Sequence, residues 1–138
     1  PTFYGYTRFY DWNGNATGPT LSCPQANDKF TVSTSTGNGK QTKPIGLITA
    51  DEVNMAGGKS ESRNMLYYLY TGTDYWTMSP SYFNSYANAL EFHVRSSGEL
   101  NAWNTVTNGY GVRPVINLDT ENLTFTGTGT MQDPYVIE

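Results

Sequence analysis

One stretch of alternating side chains constrains the fold more than any other feature of the chain. Apolar residues alternate with polar ones between positions 90 and 96: Leu90, Phe92 and Val94 against Glu91, His93 and Arg95. Because side chains point to opposite faces along a strand, this pattern predicts a strand with one face in the core and one face in water. A turn is predicted at 96–98 (Ser-Ser-Gly), and Glu99 with Leu100 begins a return strand. The sequence therefore predicts an antiparallel hairpin.

The core behind such a hairpin must be built largely from aromatic side chains. The 138 residues include 11 Tyr, 6 Phe and 3 Trp, while charged residues make up only 14%. Each aromatic side chain buries roughly 150 to 250 Å², which offsets a shortage of aliphatic residues. Length predicts one domain over 1–138, with a loop-rich part at 1–44, a well-patterned segment at 75–118 and a C-terminal extension at 119–138.

The charge and hydropathy of the chain exclude two classes of partner. A net charge of -4 provides no basic surface for nucleic acid. No apolar run approaches the roughly 18 residues of a membrane span, so we expect no membrane contact by this segment. Because residue 1 is Pro, we expect the chain to be part of a longer precursor.

The middle of the chain carries one helix signal. A short apolar strand is predicted at 45–48, and Thr49 with Glu52 three residues later fits a capping box. The helix should run over about 50–56 and stop at Gly57 and Gly58. The segment 60–70 fits either a second short helix or a strand, because its apolar spacing and its Tyr-rich composition favour different structures.

Strands and loops are expected to alternate from residue 75 onwards. The segment 75–79 is predicted to be a strand, and 80–89 and 101–109 are predicted to be loops. A mostly apolar strand follows at 110–118, where Pro114 implies a bulge or an edge position. A last short strand is expected at 134–137.

No arrangement of residues indicates catalysis. The chain has one Cys (Cys23) and one His (His93), far apart in sequence, and its acidic residues are scattered. Asp119 and Glu121 lack the oxygen-ligand spacing of a calcium loop. We therefore expect no enzyme activity, no cofactor and no metal site.

Aromatic and amide residues concentrate between Tyr82 and Tyr110. Tyr and Trp offer rigid contact area and Asn offers adaptable hydrogen bonds, which is the composition of a binding surface. The predicted binding residues are Tyr82, Phe83, Asn84, Tyr86, Asn88, Asn101, Trp103, Asn104, Thr105 and Thr107. Six of these should cluster on one exposed surface, free of regular strand structure: Tyr82, Phe83, Tyr86, Asn101, Trp103 and Asn104. The alternative is that some of these rings fill the core.

Three residues are assigned structural roles. Trp76 and Phe92 are expected in the core. Trp103, by contrast, could be either exposed or buried and is not assigned a structural role. Arg113 lies beside an apolar strand, where a charge is costly unless it is paired, so its guanidinium should bind backbone carbonyls or an acid.

The segment 75–118 resembles the C-terminal half of bacterial C-type-lectin-like domains. The motifs that carry the resemblance are Trp76-Thr77-Met78-Ser79, Phe92-His93-Val94, Ser97-Gly98 and Gly111-Val112-Arg113-Pro114-Val115. The match looks closest to a family of bacterial surface and pilin-like proteins, related in fold to the variable proteins of diversity-generating retroelements. The resemblance implies a compact α+β domain with one or two short helices, twisted antiparallel sheets and long loops.

Two departures from these relatives narrow the expected function. Calcium-dependent sugar-binding members carry a carboxylate after Trp-Asn, where this chain has Thr105 after Trp103-Asn104. Formylglycine-generating enzymes share the fold but use cysteines, and Cys23 lies outside the matching segment. The expected function is a non-enzymatic extracellular or cell-surface module that binds a protein or a glycan through 82–110. The alternative is a structural, pilin-like filament subunit that associates with itself.

Overall fold

The computed structural model describes residues 18–22, 42–60, 62–83, 86, 88–118, 121–130 and 132–137. Most of the 1–44 region, Cys23, Asn84 and Asp119 therefore lie outside the described residues. The described elements are β1 (Ile45–Leu47), α1 (Ala50–Ala56), β2 (Tyr75–Phe83), β3 (Ala89–Val94), β4 (Leu100–Thr105), β5 (Pro114–Ile116), β6 (Phe125–Thr126) and β7 (Val136–Ile137). Antiparallel sheets with one short helix are compatible with the predicted α+β class.

A three-stranded antiparallel sheet, in the order β2-β3-β4, forms the centre of the described structure. The predicted hairpin is confirmed as β3 and β4, with the Gly98 N–H donating to the Arg95 carbonyl at 2.8 Å. Gly98 has a φ of 77°, and a Cβ there would collide with the Asn64 carbonyl oxygen. The tight turn and the close passage of the 62–70 segment therefore both require glycine at this position.

The register divides the central sheet into two faces. Tyr75 lies opposite Val94, which lies opposite Leu100, and all three are buried in the core. The neighbouring row, Trp76, His93 and Asn101, therefore points to the other face. Register shifts after Trp76 on β2 and after Glu91 on β3 mark bulges, which bend the sheet and re-aim side chains.

Helix α1 covers the first face. Its capping box is confirmed, because the Thr49 side chain accepts from the Glu52 N–H at 3.1 Å and the Glu52 carboxylate accepts from the Thr49 N–H at 2.8 Å. The helix ends at Gly57, as predicted. Ala50 and Val53 then pack with Tyr67 against the buried row of the sheet.

Small hydroxyl residues on β2 line the buried side of the sheet. Thr77 donates to the Phe92 carbonyl at 2.8 Å, and Ser81 donates to the Ala102 carbonyl at 2.7 Å. Ser79 accepts from the N–H of Ala50 at 2.9 Å. Each of these three hydroxyls thus has a backbone partner, and the bonds tie β2 to β3, β4 and the start of α1.

Several sequence-based boundaries are wrong. The expected loops at 80–89 and 101–109 are partly strand, because β2 continues to Phe83 and β4 covers Leu100–Thr105. Bulges let β2 run through Pro80 at the edge of the sheet, a position where a missing N–H is tolerated. The segment 60–70 forms neither of its two expected elements within its described residues, but bends and turns held by isolated bridges such as Ser60 with Leu100.

The late strands are shorter than expected. The strand predicted at 110–118 is limited to Pro114–Ile116, which pairs antiparallel with β1 in a two-stranded sheet. Pro114 therefore lies on an edge strand, as predicted. The strand expected at 134–137 is limited to Val136–Ile137, which pairs with β6.

Candidate functional site

Three aromatic rings pack together on the second face of the central sheet. Trp76 of β2 meets His93 of β3 edge-to-face, with ring centroids 5.8 Å apart. Tyr110, which follows β4, stacks on His93 at 4.8 Å with an interplanar angle of 16° and contacts Trp76 at 4.7 Å. Their separations are those of favourable aromatic pairs. We call Trp76, His93 and Tyr110 the aromatic cluster.

Asn104 links the aromatic cluster to the rest of this face. Its Nδ2 lies 3.2 Å from Nε2 and 3.4 Å from Nδ1 of His93. Its Oδ1 accepts from the Tyr110 hydroxyl at 3.1 Å and from Asn108 Nδ2 at 3.1 Å. One amide therefore joins the hydrogen bonds of β3, β4 and the segment 106–111 that follows β4.

Asn101 continues the chain of amides towards the hairpin turn. Its Oδ1 accepts from the Trp103 N–H at 3.0 Å and from Asn104 Nδ2 at 3.3 Å, while its Nδ2 donates to Glu99 Oε1 at 3.3 Å. A carboxylate and a backbone N–H each have a fixed hydrogen-bonding role, so they set the orientation of the Asn101 amide. Asn101 in turn sets that of Asn104, whose Nδ2 must face His93.

The direction of these hydrogen bonds identifies the state of His93. Because Asn104 Nδ2 can only donate, a ring nitrogen of His93 must accept, which requires the neutral imidazole. Burial lowers the pKa of His93, as does the positive charge of Arg95. Three groups raise this pKa without reversing the shift: Asp74, the backbone of Asn101 and Glu99.

The expectation that this face is wet is wrong. His93 is only 1% exposed, and Glu91, one row along the strand, is half-buried, so that burial raises its pKa. The alternation correctly predicted which residues share a face. It could not show that Tyr110 folds back over His93, because that contact joins residues from separate elements.

The described residues of the predicted binding set are exposed, half-buried or, in the case of Asn101, buried. Phe83, Tyr86 and Trp103 are 52%, 84% and 57% exposed, respectively. Asn88 and Thr107 are also exposed, whereas Tyr82, Asn104 and Thr105 are half-buried.

Tyr82 and Asn104, which are half-buried, do not meet the expectation of six exposed residues. Asn101 contradicts it most clearly, because it is 6% exposed. It lies opposite His93 in the register, and its amide is used within the sheet. The expected freedom from strand structure is also wrong for Tyr82 and Phe83, which lie in β2, and for Asn101, Trp103, Asn104 and Thr105, which lie in β4.

One end of the central sheet brings two exposed apolar side chains to the same level, one at the end of β2 and one just after β4. Phe83 lies opposite Ala89, whose carbonyl accepts from the Val106 N–H at 3.1 Å. Val106 is exposed like Phe83. Adjacent strands are about 4.8 Å apart, so this row crosses the sheet end within roughly 10 Å. We use the name aromatic end for Phe83 and Val106 together with two exposed rings that are near them in the sequence, Tyr86 of the β2–β3 connection and Trp103 of β4.

The predicted structural residues occupy two environments. Phe92 lies in the core, but Trp76 is half-buried and belongs to the aromatic cluster on the opposite face. The Arg113 guanidinium donates to the Leu69 carbonyl at 3.1 Å, as expected, and lies 4.9 Å from the ring centroid of Tyr75. That ring therefore joins Arg113 to the core.

Comparison of the chain with protein-family models, with curated proteins and with solved structures finds no match. Among the described residues, no three His, Cys, Asp or Glu side chains are grouped so that they could hold a metal ion. The same part of the chain contains no helix with the length and apolar character needed to cross a bilayer.

Proposed function

We propose that the chain is a non-enzymatic, extracellular or cell-surface binding module with a C-type-lectin-like fold. Its ligand is a protein or a glycan, contacted by the aromatic end and by neighbouring polar residues. The fold assignment is supported by the antiparallel sheets, the short helix and the long connections that join them. It also agrees with the motifs of the segment 75–118.

The exposure of large rings on and beside the central sheet is the observation that carries this proposal. Trp103 and Tyr86 each present more than half of their surface, although Trp and Tyr side chains are usually largely covered. Exposed aromatic side chains beside polar groups are typical of interaction surfaces. Asn101 Oδ1 accepts from the Trp103 N–H and holds that backbone in place, so little backbone ordering is needed on binding.

Binding by purified variants tests this proposal. Wild type, Trp103→Ala and Tyr86→Ala would be measured on arrays of immobilised glycans and extracellular-matrix proteins. Loss of an aromatic anchor typically costs about 2 kcal/mol, or roughly thirtyfold in affinity. Tyr68→Ala is the matched control, because Tyr68 is 91% exposed but lies outside the predicted binding segment.

The two variants should lose affinity while their melting temperatures stay close to that of wild type. Tyr68→Ala should keep wild-type affinity. Equal binding by all four proteins would contradict the proposed surface. Strong destabilisation of Trp103→Ala with unchanged binding would instead assign its ring a structural role.

The alternative function, a filament subunit, is favoured by a different observation. Ile45 and Ile116 are paired across the β1–β5 sheet, and both are exposed. Phe125 and Ile137 form a similar exposed pair across β6 and β7. Sedimentation over a range of concentrations separates the two functions, because a filament subunit should self-associate and Ile116→Ser should weaken that association.

A further inference from the structure

The segment 106–111, which we call the Tyr110 loop, is held at its two ends by backbone hydrogen bonds. The Val106 N–H donates to the Ala89 carbonyl at 3.1 Å. At the other end, the Gly111 N–H donates to the Asp74 carbonyl at 3.0 Å, and the Gly111 carbonyl accepts from the Trp76 N–H at 3.0 Å. The loop is therefore a short bridge from the end of β4 to the edge of β2.

Between these ends, side chains attach the Tyr110 loop to the sheet. Tyr110 stacks on His93 and bonds to Asn104 Oδ1, and Asn108 donates to the same oxygen. Near the start of the loop, Thr107 contacts Thr105 at 2.8 Å and the Asn108 N–H donates to the Thr105 carbonyl at 3.0 Å. The side-chain contacts that hold Tyr110 thus come from the Asn104 amide and from the rings of His93 and Trp76.

We propose that His93 is a pH-sensitive latch that holds the Tyr110 loop on the sheet while neutral and releases it when protonated. A protonated imidazole has no acceptor, so both of its nitrogens would present N–H groups to the donor Nδ2 of Asn104. Rotation of the Asn104 amide would only transfer this conflict, because its Oδ1 would then face Asn101 Oδ1, which accepts from the Trp103 N–H and cannot donate.

The surroundings of His93 contain charges of both signs. Arg95 follows on the same strand, Asp74 precedes β2, Glu99 lies at the start of the return strand, and Glu91 lies one row along β3. The phenol of Tyr110 faces the imidazole ring. Two of the carboxylates are already engaged, since Asp74 accepts from the Ser96 N–H and Glu99 binds Arg95 at 3.5 Å.

The balance of these groups favours the neutral ring. Desolvation is the largest influence on the pKa of His93 and lowers it below the ordinary value of about 6.5. The unfolded chain therefore takes up this proton at a higher pH than the folded chain. The resulting stabilisation is complete above about pH 6.5 and is lost as the pH falls towards the folded pKa.

NMR titration of the full chain tests the latch directly. His93 is the only His in the protein, so its ring protons give one unambiguous titration curve. We expect a midpoint below 6.5, with the backbone amides of Thr107 to Tyr110 shifting or broadening at the same midpoint. A midpoint at or above 6.5 would overturn the proposal, and so would loop amide signals that do not change as His93 titrates.

Two variants connect the loop transition to the imidazole. His93→Gln keeps a neutral acceptor at every pH, so its loop amides should not shift over the pH range of the wild-type transition. Glu91→Gln should retain the wild-type transition. If Glu91→Gln abolished the transition, or if His93→Gln retained it, a different group would be the switch.

Tyr110→Ala provides a test that does not require replacement of His93. Removal of the stacked ring exposes the imidazole to water, so the His93 midpoint should move up towards 6.5. The matched control Tyr68→Ala should leave the midpoint unchanged, and an unchanged midpoint in Tyr110→Ala would exclude coupling between the loop and the imidazole. The latch is measured in the free protein, so a failure of ligand binding would not affect this result.

Discussion

The two faces of the central sheet are stabilised in different ways. The face beneath α1 buries Tyr75, Phe92, Val94 and Leu100 against apolar neighbours, where the free energy comes mainly from area removed from water. The opposite face buries His93 and Asn101 and has stacked rings and amides in place of aliphatic packing. The same three strands thus carry a mainly apolar core on one face and a network of rings and amides on the other.

This difference makes the second face more sensitive than the first to pH and to the loss of a single partner. Aliphatic packing tolerates small changes of shape but responds little to pH. A network of donors and acceptors fixes the position of each member, and the loss of one partner leaves others unsatisfied. The positions of the Tyr110 loop and of the Trp103 backbone therefore depend on hydrogen bonds, which a change of protonation or the loss of a partner can break.

The largest expected effect comes from a change to the core face. Phe92→Ala should destabilise the protein by about 3–5 kcal/mol, because it removes a fully buried ring and leaves a cavity. Urea denaturation would measure the loss, and Phe83→Ala is the matched control because its ring is half exposed. If both variants lost the same stability, the described core would be wrong.

A smaller effect is expected from the opposite face. Asn104→Ala removes the amide that joins His93, Asn101, Tyr110 and Asn108, and should cost about 1–3 kcal/mol because it leaves buried polar groups without partners. Asn108→Ala is the control, since Asn108 is exposed and its side chain donates one hydrogen bond to Asn104. A cost for Asn104→Ala no greater than that of the control would show that the network contributes little to stability.

The smallest expected effect concerns a charge on the second face. Burial raises the pKa of Glu91, so above that pKa the folded protein holds a carboxylate with an unfavourable loss of hydration. Glu91→Gln should therefore stabilise the protein at pH 7, by no more than about 0.5 kcal/mol.

The pH dependence of this change has a defined sign. Between the unfolded pKa of about 4.3 and the higher folded pKa, the folded state binds more protons, so wild-type stability falls as the pH rises. The advantage of Glu91→Gln should appear over the same interval and vanish at lower pH. Parallel thermal unfolding of both proteins from pH 4 to 7 would check this, and a constant difference would contradict the raised pKa.

Sequence reasoning succeeded where the signal was local. The capping box at Thr49 and Glu52 predicted α1, and the alternation over 90–96 with Gly98 predicted the β3–β4 hairpin. It failed where strands continue through irregular sequence. Pro80 and the Asn-rich stretch after Leu100 resemble loops, yet both lie in strands that bulges allow to remain paired.

The candidate site was predicted only in part for the same reason. Phe83, Tyr86 and Trp103 are exposed, as expected from the concentration of Tyr, Trp and Asn between 82 and 110, and their part in binding stays a prediction. The aromatic cluster was not predicted as a unit, and its His was expected in water. No periodic pattern links Trp76, His93 and Tyr110, because their proximity depends on strand register and on the path of a loop.

The sequence by itself thus determined the helix, the hairpin and the pairing of apolar positions on one face, because propensity, capping and alternation act between near neighbours in the chain. The tertiary structure alone decided which polar residues are buried. His93 and Asn101 are covered because the return strand and the Tyr110 loop bring Asn104 and Tyr110 against them. Burial and hydrogen-bond partners depend on contacts between distant segments, which no local pattern specifies.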